Sequence, residues 1–211
     1  MFYESVNQAV LARVPRTTRR LLDIGCGTGA LGQKIKEGMN CLVVGFNNSE
    51  AEVALAKGRI DQVLVCDLNS FEPPDMDRFD CIVCSHVLEH LCQPEEVLKR
   101  LLHLLAPDGT LVVALPNVLF WRQRLHFLRG SFRYTDGGLM DRTHFRFFDW
   151  STAQNLLTGS GYSIVYAEAD GSLPLARFLF RAGEWIDRAA LRLFPGLFGF
   201  QFVFVCRPNG N

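Results

Sequence analysis

The apolar positions of this chain alternate between two rhythms. Short runs at 20–24, 41–46, 62–66, 79–84 and 110–115 are almost wholly apolar, as strands buried on both faces are. Between them, near 29–37, 49–57 and 94–105, apolar residues return every three or four positions, which marks one face of a helix. A short amphipathic helix is predicted ahead of the first strand, near Glu4 to Arg13. Pro107-Asp108-Gly109 has the turn chemistry to end the 94–105 helix and launch the fifth strand. Repeated alternation of strand and helix predicts an α/β fold, a parallel sheet covered by helices on both faces.

The rhythm breaks after the fifth strand. Pro116-Asn117, an aromatic and basic run from Val118 to Arg129, and then Gly130, Gly137 and Gly138 read as an insertion over 116–149 at the carboxyl edge of the sheet. Alternation resumes with a helix near Trp150 to Gly159 and strands at 162–168 and 201–206. From Leu173 to Leu193, apolar residues at 175, 178, 179, 182, 185, 186, 189 and 193 oppose Arg177, Arg181, Glu184, Arg188 and Arg192. That is a strongly amphipathic helix, and its charged face forbids a membrane span. It fits a core cover, a dimer face, a substrate lid or an interfacial membrane contact, and the aromatic-rich Phe194 to Phe200 that follows keeps a lipid contact open. No internal repeat or low-complexity tract interrupts the chain, which reads as a single domain over 1–211.

The 211 residues are 48% hydrophobic, enough for one well-formed core. Lys plus Arg and Asp plus Glu both total 22, so no net field draws the chain to nucleic acid or to an acidic surface. The seven cysteines are an odd number, mostly in or beside strand-like runs, and fit buried reduced thiols. Cys81 and Cys84 form a C-x-x-C, but at that spacing on a strand they face opposite ways and no second pair follows. No metal site is predicted. The N-terminal residues lack a charged segment followed by an apolar core, and no apolar run reaches the roughly 18 residues of a membrane span, so a cytoplasmic protein is expected.

The chemistry concentrates at the end of the first strand. Leu21-Leu22-Asp23-Ile24 runs into Gly25-Cys26-Gly27-Thr28-Gly29, an acid followed by three glycines at alternate positions. Without Cβ atoms the chain turns sharply there and lets a ligand approach the main chain at the N-terminus of the next helix. Gly27-Thr28-Gly29-Ala30-Leu31-Gly32 also satisfies the G-x-G-x-x-G dinucleotide pattern. Asp23, however, would set a carboxylate against a pyrophosphate, and the acid expected about 20 residues on is Asn47. A ligand with positive charge at that end, such as the ammonium and sulfonium of S-adenosylmethionine, suits Asp23 better. Residues 21–29 resemble the first motif of class I S-adenosylmethionine-dependent methyltransferases, and the resemblance to their type 11/type 23 group covers nearly the whole chain. It implies a Rossmann-like, doubly wound, three-layer α/β/α fold with a seven-stranded, mostly parallel sheet whose last strand is antiparallel.

The same resemblance implies a site. Asp23, Gly25, Cys26, Gly27 and Gly29 would hold the methionine end of the cofactor, Asn47 the ribose in place of the usual acid, and Asp67 the adenine amino group with Leu68 beside the ring. Ser85 and His86 would border the cofactor at the end of the fourth strand. Where the amide only weakens the ribose contact, an Asn47→Asp change is expected to tighten cofactor binding, and no effect would place the residue away from the ribose. Leu88-Glu89-His90 is similar to a run in related methyltransferases; on a short helix His86, Glu89 and His90 share one face, either as site groups or as a tie to neighbouring loops. Asp141-Arg142-Thr143-His144-Phe145-Arg146-Phe147-Phe148 resembles a run in bacterial methyltransferases near cell-surface polysaccharide genes. With Leu115-Pro116-Asn117 and Trp121-Arg122-Gln123-Arg124 it is also similar to the MetW group linked to methionine biosynthesis. Arg142 and Arg146 would grip a carboxylate or phosphate of the acceptor beside His90 and Asn117, or the run would staple the insertion to the sheet. His86 or His144 is the expected base for a hydroxyl acceptor. The function expected is methyl transfer to an oxygen or nitrogen of a small-molecule or saccharide acceptor, with no nucleic-acid partner and a membrane or dimer contact through 173–200. The alternative is a non-catalytic or regulatory partner that keeps the fold, as the MetW resemblance allows.

Overall fold

The computed structural model describes residues 6–173 and 180–210, the side chains of 180–184 excepted. Seven strands form one sheet: β1 (Arg20–Ile24), β2 (Leu42–Asn47), β3 (Gln62–Val65), β4 (Phe79–Ser85), β5 (Leu105–Pro116), β6 (Tyr162–Gly171) and β7 (Gly199–Pro208). Their spatial order is β3-β2-β1-β4-β5-β7-β6. The first five are parallel, and β7 is antiparallel to both neighbours, so the sheet is the one the sequence resemblance implied. The chain starts at β1, winds outward to β3 and then crosses to β4 on the other side of β1. Ligands of open α/β sheets bind outside the carboxyl ends of the strands at such a reversal. Asp23, paired in register with Val83 of β4, sits there.

Successive strand residues face opposite layers. Leu22, Ile24, Ile82 and Cys84 pack against α4 (Pro94–Leu104) and α6 (Trp150–Gly159), which bring Leu98, Leu101 and Leu157. Leu21, Cys81 and Val83 face the other way, under Val10 of α1 (Gln8–Leu11), Ile35 of α2 (Ala30–Gly38) and Ala56 of α3 (Glu50–Ala56). Cys81 and Cys84 thus lie in different layers, and all seven cysteines are free.

Three elements differ from the sequence expectation. Within the described part of the first helix only Gln8–Leu11 is helical, because Asn7 caps it by accepting from the Val10 N–H and residues 1–5 lie outside the described residues. The Pro107-Asp108-Gly109 turn is absorbed into β5 as an irregularity: Phe79 pairs with Leu105, yet Cys81 pairs with Thr110. In the 173–193 segment, 174–179 lie outside the described residues, and α7 (Phe180–Leu193) leaves Trp185 76% and Leu193 70% exposed. The 116–149 region carries α5 (Trp121–Leu128), and α8 (Pro195–Phe198) precedes β7. Among the described residues no helix is long and apolar enough to cross a membrane.

Candidate active site

The loop after β1 is built on three left-handed glycines, with φ of 66° at Gly25, 52° at Gly27 and 79° at Gly29. Residues with a Cβ avoid that region, so the alternate glycines are a steric requirement. Gly29 caps α2 without a side chain, which leaves the first N–H groups of that helix for a ligand. A methyl group on Gly27 would meet nothing within 4 Å, whereas one on Gly25 would lie 2.5 Å from Val87 Cγ2. The loop is therefore open above Gly27 and pressed at Gly25 against the segment that follows β4. Cys26 is 7% exposed, and burial pushes its thiol up to about 12, which removes it as a nucleophile.

Asp23 is 2% exposed and its Oδ2 has no hydrogen-bond partner. Burial pushes its carboxyl up to about 7. A buried carboxylate left without a donor is costly, and such a group marks a place where a cation or donor from outside the chain belongs.

Asn47, at the end of β2, is 5% exposed and fully engaged. Its Nδ2 donates to Gly27 O (3.2 Å) and to Glu52 Oε2 (2.8 Å), and its Oδ1 accepts from the Ser49 N–H (3.3 Å). Asn47 thus holds the glycine loop and orients Glu52, so a carboxylate absent from the strand end stands one helix turn further on. The sequence signal for this was Ser49-Glu50-Ala51-Glu52, the pattern of a capping box, in which Ser49 does accept from the Glu52 N–H. Asp67 is exposed, with Oδ1 held by the Asn69 N–H (3.0 Å) and side chain (3.3 Å), while Leu68 is buried in the main core.

At the end of β4, Ser85 Oγ accepts from Asn7 Nδ2 (3.4 Å). His86 has a φ of 55°, strained for a side chain with a Cβ. Its Nε2 lies 2.8 Å from Gln201 Oε1. Gln201 donates through Nε2 to Asp170 (2.7 Å), and its Oε1 also accepts from Asn7 (2.8 Å), so the network assigns the His86 Nε2 a hydrogen. Burial, the largest single influence, disfavours the charged imidazole, but Glu89, 3.3 Å from Nδ1, and Gln201 together outweigh it and raise the pKa.

The 141–148 run folds over the single 3-10 turn Leu88–His90, because Glu89 O accepts from the N–H groups of Phe145 (2.8 Å) and Arg146 (3.1 Å). The His90 and His144 rings meet edge to face at 4.7 Å. Arg146 donates twice to Cys92 O, at 3.2 and 2.8 Å, and Arg142 pairs with exposed Asp136 (2.9 Å). Asn117 is wholly buried: its Nδ2 donates to Gly196 O (3.0 Å) and Gly199 O (2.7 Å), and its Oδ1 accepts from Leu119 N–H (2.9 Å). Arg146 borders a cleft of about 430 Å³ with Pro94, Lys99 and Phe148, and a larger group of cations lies elsewhere. A cleft of about 610 Å³ at the carboxyl ends of β5 and β6 is lined by Arg122, His126, Arg133, Met140, Phe120 and Phe200 among others. Arg122 belongs to the Trp121-Arg122-Gln123-Arg124 run, whereas Arg133 carries no sequence signal.

A family model described as a methyltransferase domain matches residues 2–167. The chain belongs to the S-adenosylmethionine-dependent methyltransferase family. Among similar curated methyltransferases are a ubiquinone biosynthesis O-methyltransferase of Coxiella burnetii, 31% identical over 47% of this chain and 44% of that protein, and a trans-aconitate 2-methyltransferase of Variovorax paradoxus, 33% identical over 52% and 44%. The chain thus spans less than half the length of these relatives. Among solved structures, an Archaeoglobus fulgidus methyltransferase aligns with a TM-score of 0.67 at 20% identity over 97% of this chain and 96% of that one. A Burkholderia thailandensis 1,6-didemethyltoxoflavin-N1-methyltransferase with bound S-adenosylhomocysteine aligns at 0.60 and 17%, over 96% and 76%, and both show the fold.

S-adenosylmethionine, the methyl donor of this methyltransferase family, fits the residues present. The orphaned Asp23 carboxylate suits its ammonium, and the space over Gly27 lets it approach the backbone. Of the residues predicted for the site, Asp23, the glycine loop, Asn47, Ser85 and His86 come together around the β1–β4 reversal, and His90 and His144 meet beside it. Asn117 and Leu68 are engaged inside the fold, and Arg146 is exposed but held by the Cys92 carbonyl.

Proposed function

We propose that this chain transfers the methyl group of S-adenosylmethionine to an oxygen or nitrogen of a small anionic or sugar-like acceptor lying over the carboxyl edge of the sheet. The observation that carries the reading is Asp23, a buried carboxylate without a donor at the head of an open glycine cradle. The cofactor supplies an electrophilic methyl group on a sulfonium. Asp23 and the N-terminus of α2 would hold its amino-acid end, Glu52, positioned by Asn47, would accept from the ribose hydroxyls, and Asp67 would accept from the adenine amino group. Arg122 and Arg133 supply the charge that draws an acidic acceptor, and the trans-aconitate 2-methyltransferase relative is named for an organic acid. When bound, the cofactor would supply the methyl group and leave with the sulfur's electron pair, while the acceptor's proton would pass to solvent or a base. Most of the acceleration then comes from holding the two partners in line.

Calorimetric titration with S-adenosylmethionine and S-adenosylhomocysteine tests this. Micromolar binding of both, lost in Asp23→Asn, is the expected result. A folded chain that binds neither would sink the catalytic reading and favour a partner protein that keeps the fold. Given turnover of an acidic acceptor, Arg133→Ala should raise its KM while leaving cofactor affinity unchanged.

A further inference from the structure

Glu89, His90 and His144, from the two motifs that flank the cradle, each place a potential ligand atom so that all three lie within 4.8 Å of one another. Glu89 is 1% exposed, and neither of its carboxylate oxygens has a hydrogen-bond partner. Its Oε1 lies 3.3 Å from His86 Nδ1, an ion-pair contact when that imidazole is protonated, which leaves Oε2 without any partner. His144 Nδ1 is also buried and unpartnered. Glu89 Oε2 and His144 Nδ1 are therefore buried close together with no protein donor, an arrangement that costs stability unless something fills it.

The third ring is already oriented for that purpose. Thr143 Oγ1 donates to Asp141 Oδ1 (2.7 Å), so toward His90 Nδ1 (3.0 Å) it acts as an acceptor, as does the Thr143 carbonyl at 3.1 Å. Nδ1 of His90 therefore carries the ring proton, and the lone pair of the neutral ring is on Nε2. A ring N–H fixed by a backbone carbonyl, with the other nitrogen free, is the arrangement that orients a metal-ligating histidine.

We propose that Glu89, His90 and His144 form a site for one divalent first-row transition cation, of the Zn2+ or Co2+ type, at the acceptor side of the crevice. Two imidazoles and one carboxylate suit such an ion, whereas Mg2+ and Ca2+ favour all-oxygen shells. Three protein ligands leave at least one coordination position for a molecule from outside. The site begins two residues after Val87, which presses against Gly25 of the cradle. Resting on the methyltransferase reading, the acceptor is then a hydroxyl compound whose oxygen completes the shell and loses its proton more readily for doing so. The Asp141-Arg142-Thr143-His144 motif gains a purpose: it supplies one ligand and the carbonyl and carboxylate that orient another.

The test uses the purified chain, stripped with a chelator and titrated with CoCl2 alone. Wild type should bind one equivalent with visible ligand-field bands that ZnCl2 displaces. Glu89→Gln and His144→Ala should raise the Co2+ Kd by about 10- to 100-fold or more, with calorimetric affinity for S-adenosylmethionine unchanged and the far-ultraviolet dichroism intact. His126→Ala, outside the cluster, should leave the bands in place. No stoichiometric Co2+ binding by a wild-type chain that does bind S-adenosylmethionine overturns the metal site and leaves the methyltransferase reading standing. Bands that survive both substitutions put the ion elsewhere and overturn it as well. Bands that depend on these residues in a chain that ignores S-adenosylmethionine would instead uphold the metal site and remove the methyltransferase reading.

Discussion

The side-chain amide of Asn47 donates at once to Glu52 Oε2 (2.8 Å) and to Gly27 O (3.2 Å), which ties the end of β2 to both α3 and the glycine loop. The sequence alone predicted that Asn47→Asp would restore a missing ribose contact and tighten cofactor binding. The geometry reverses that expectation. The aspartate would lose both donors and face Glu52 at hydrogen-bond distance, a like-charge contact. Asn47→Asp should lower stability by about 1–3 kcal/mol and weaken cofactor binding. Glu52→Gln should keep the fold and still raise the S-adenosylmethionine Kd by about 10-fold or more, because a charged acceptor is lost. Thermal melts and calorimetry on the two variants check both statements, and an unchanged Kd in Glu52→Gln would remove Glu52 from the site.

Gly25 and Gly27 are both left-handed, yet substitution should fail for different reasons. An alanine at 25 would put its methyl group 2.5 Å from Val87 Cγ2, so Gly25→Ala should unfold the loop at a cost of about 2–4 kcal/mol. An alanine at 27 meets no protein atom within 4 Å, so only the backbone strain of about 1 kcal/mol opposes it. Its methyl group points into the space reserved for the ligand. Gly27→Ala should therefore melt near wild type while losing cofactor affinity. Equal melting losses in the two variants would contradict the open cradle.

These contrasts show what the sequence carried and what it did not. The sheet was legible because both its faces are buried, which turns strands such as Phe79–Ser85 into continuous apolar runs, and the cradle was legible because only glycine occupies φ near +60°. The exchange between Asn47 and Glu52 was not, since it joins a strand end to a helix cap through side-chain geometry. The start of β5 at Leu105 was hidden by Pro107-Asp108-Gly109, a turn by composition that the neighbouring strand draws into the sheet. The convergence of Glu89, His90 and His144 depends on two backbone hydrogen bonds to Glu89 O, which no residue pattern announces.

Asn117 separates a substrate contact from a structural one. All three polar functions of its side chain pair with backbone of α8, β7 and the 117–119 turn, and it has no exposed surface. Asn117→Ala would remove the side-chain donor to Gly199 O and the acceptor of the Leu119 N–H, while Gly196 O would keep its bond from Arg124 (3.2 Å); it should cost about 2–4 kcal/mol, a fall in Tm of roughly 5–10 °C at this chain length. A melt unchanged from wild type would restore Asn117 to the acceptor site.

The pH dependence of cofactor binding follows from Asp23. Burial raises its carboxyl from the ordinary value near ~4 to about 7, so the folded chain holds this proton more tightly than the unfolded one. Between roughly pH 4 and 7 the native state therefore binds more protons, and this group's contribution to stability falls as pH rises through that window and levels off above it. Asn at 23 has no such slope, so cofactor-free Asp23→Asn should melt above wild type at pH 8. Cofactor binding runs the other way. An ammonium pairs with the ionised carboxylate, so below pH 7 the wild-type Kd should rise by about tenfold per unit and above it stay flat. Asp23→Asn should bind weakly at every pH. The control is 5′-methylthioadenosine, which lacks the amino-acid group and should show no such slope in wild type. A wild-type Kd for S-adenosylmethionine that is flat from pH 5 to 8 would mean that Asp23 does not meet the ammonium.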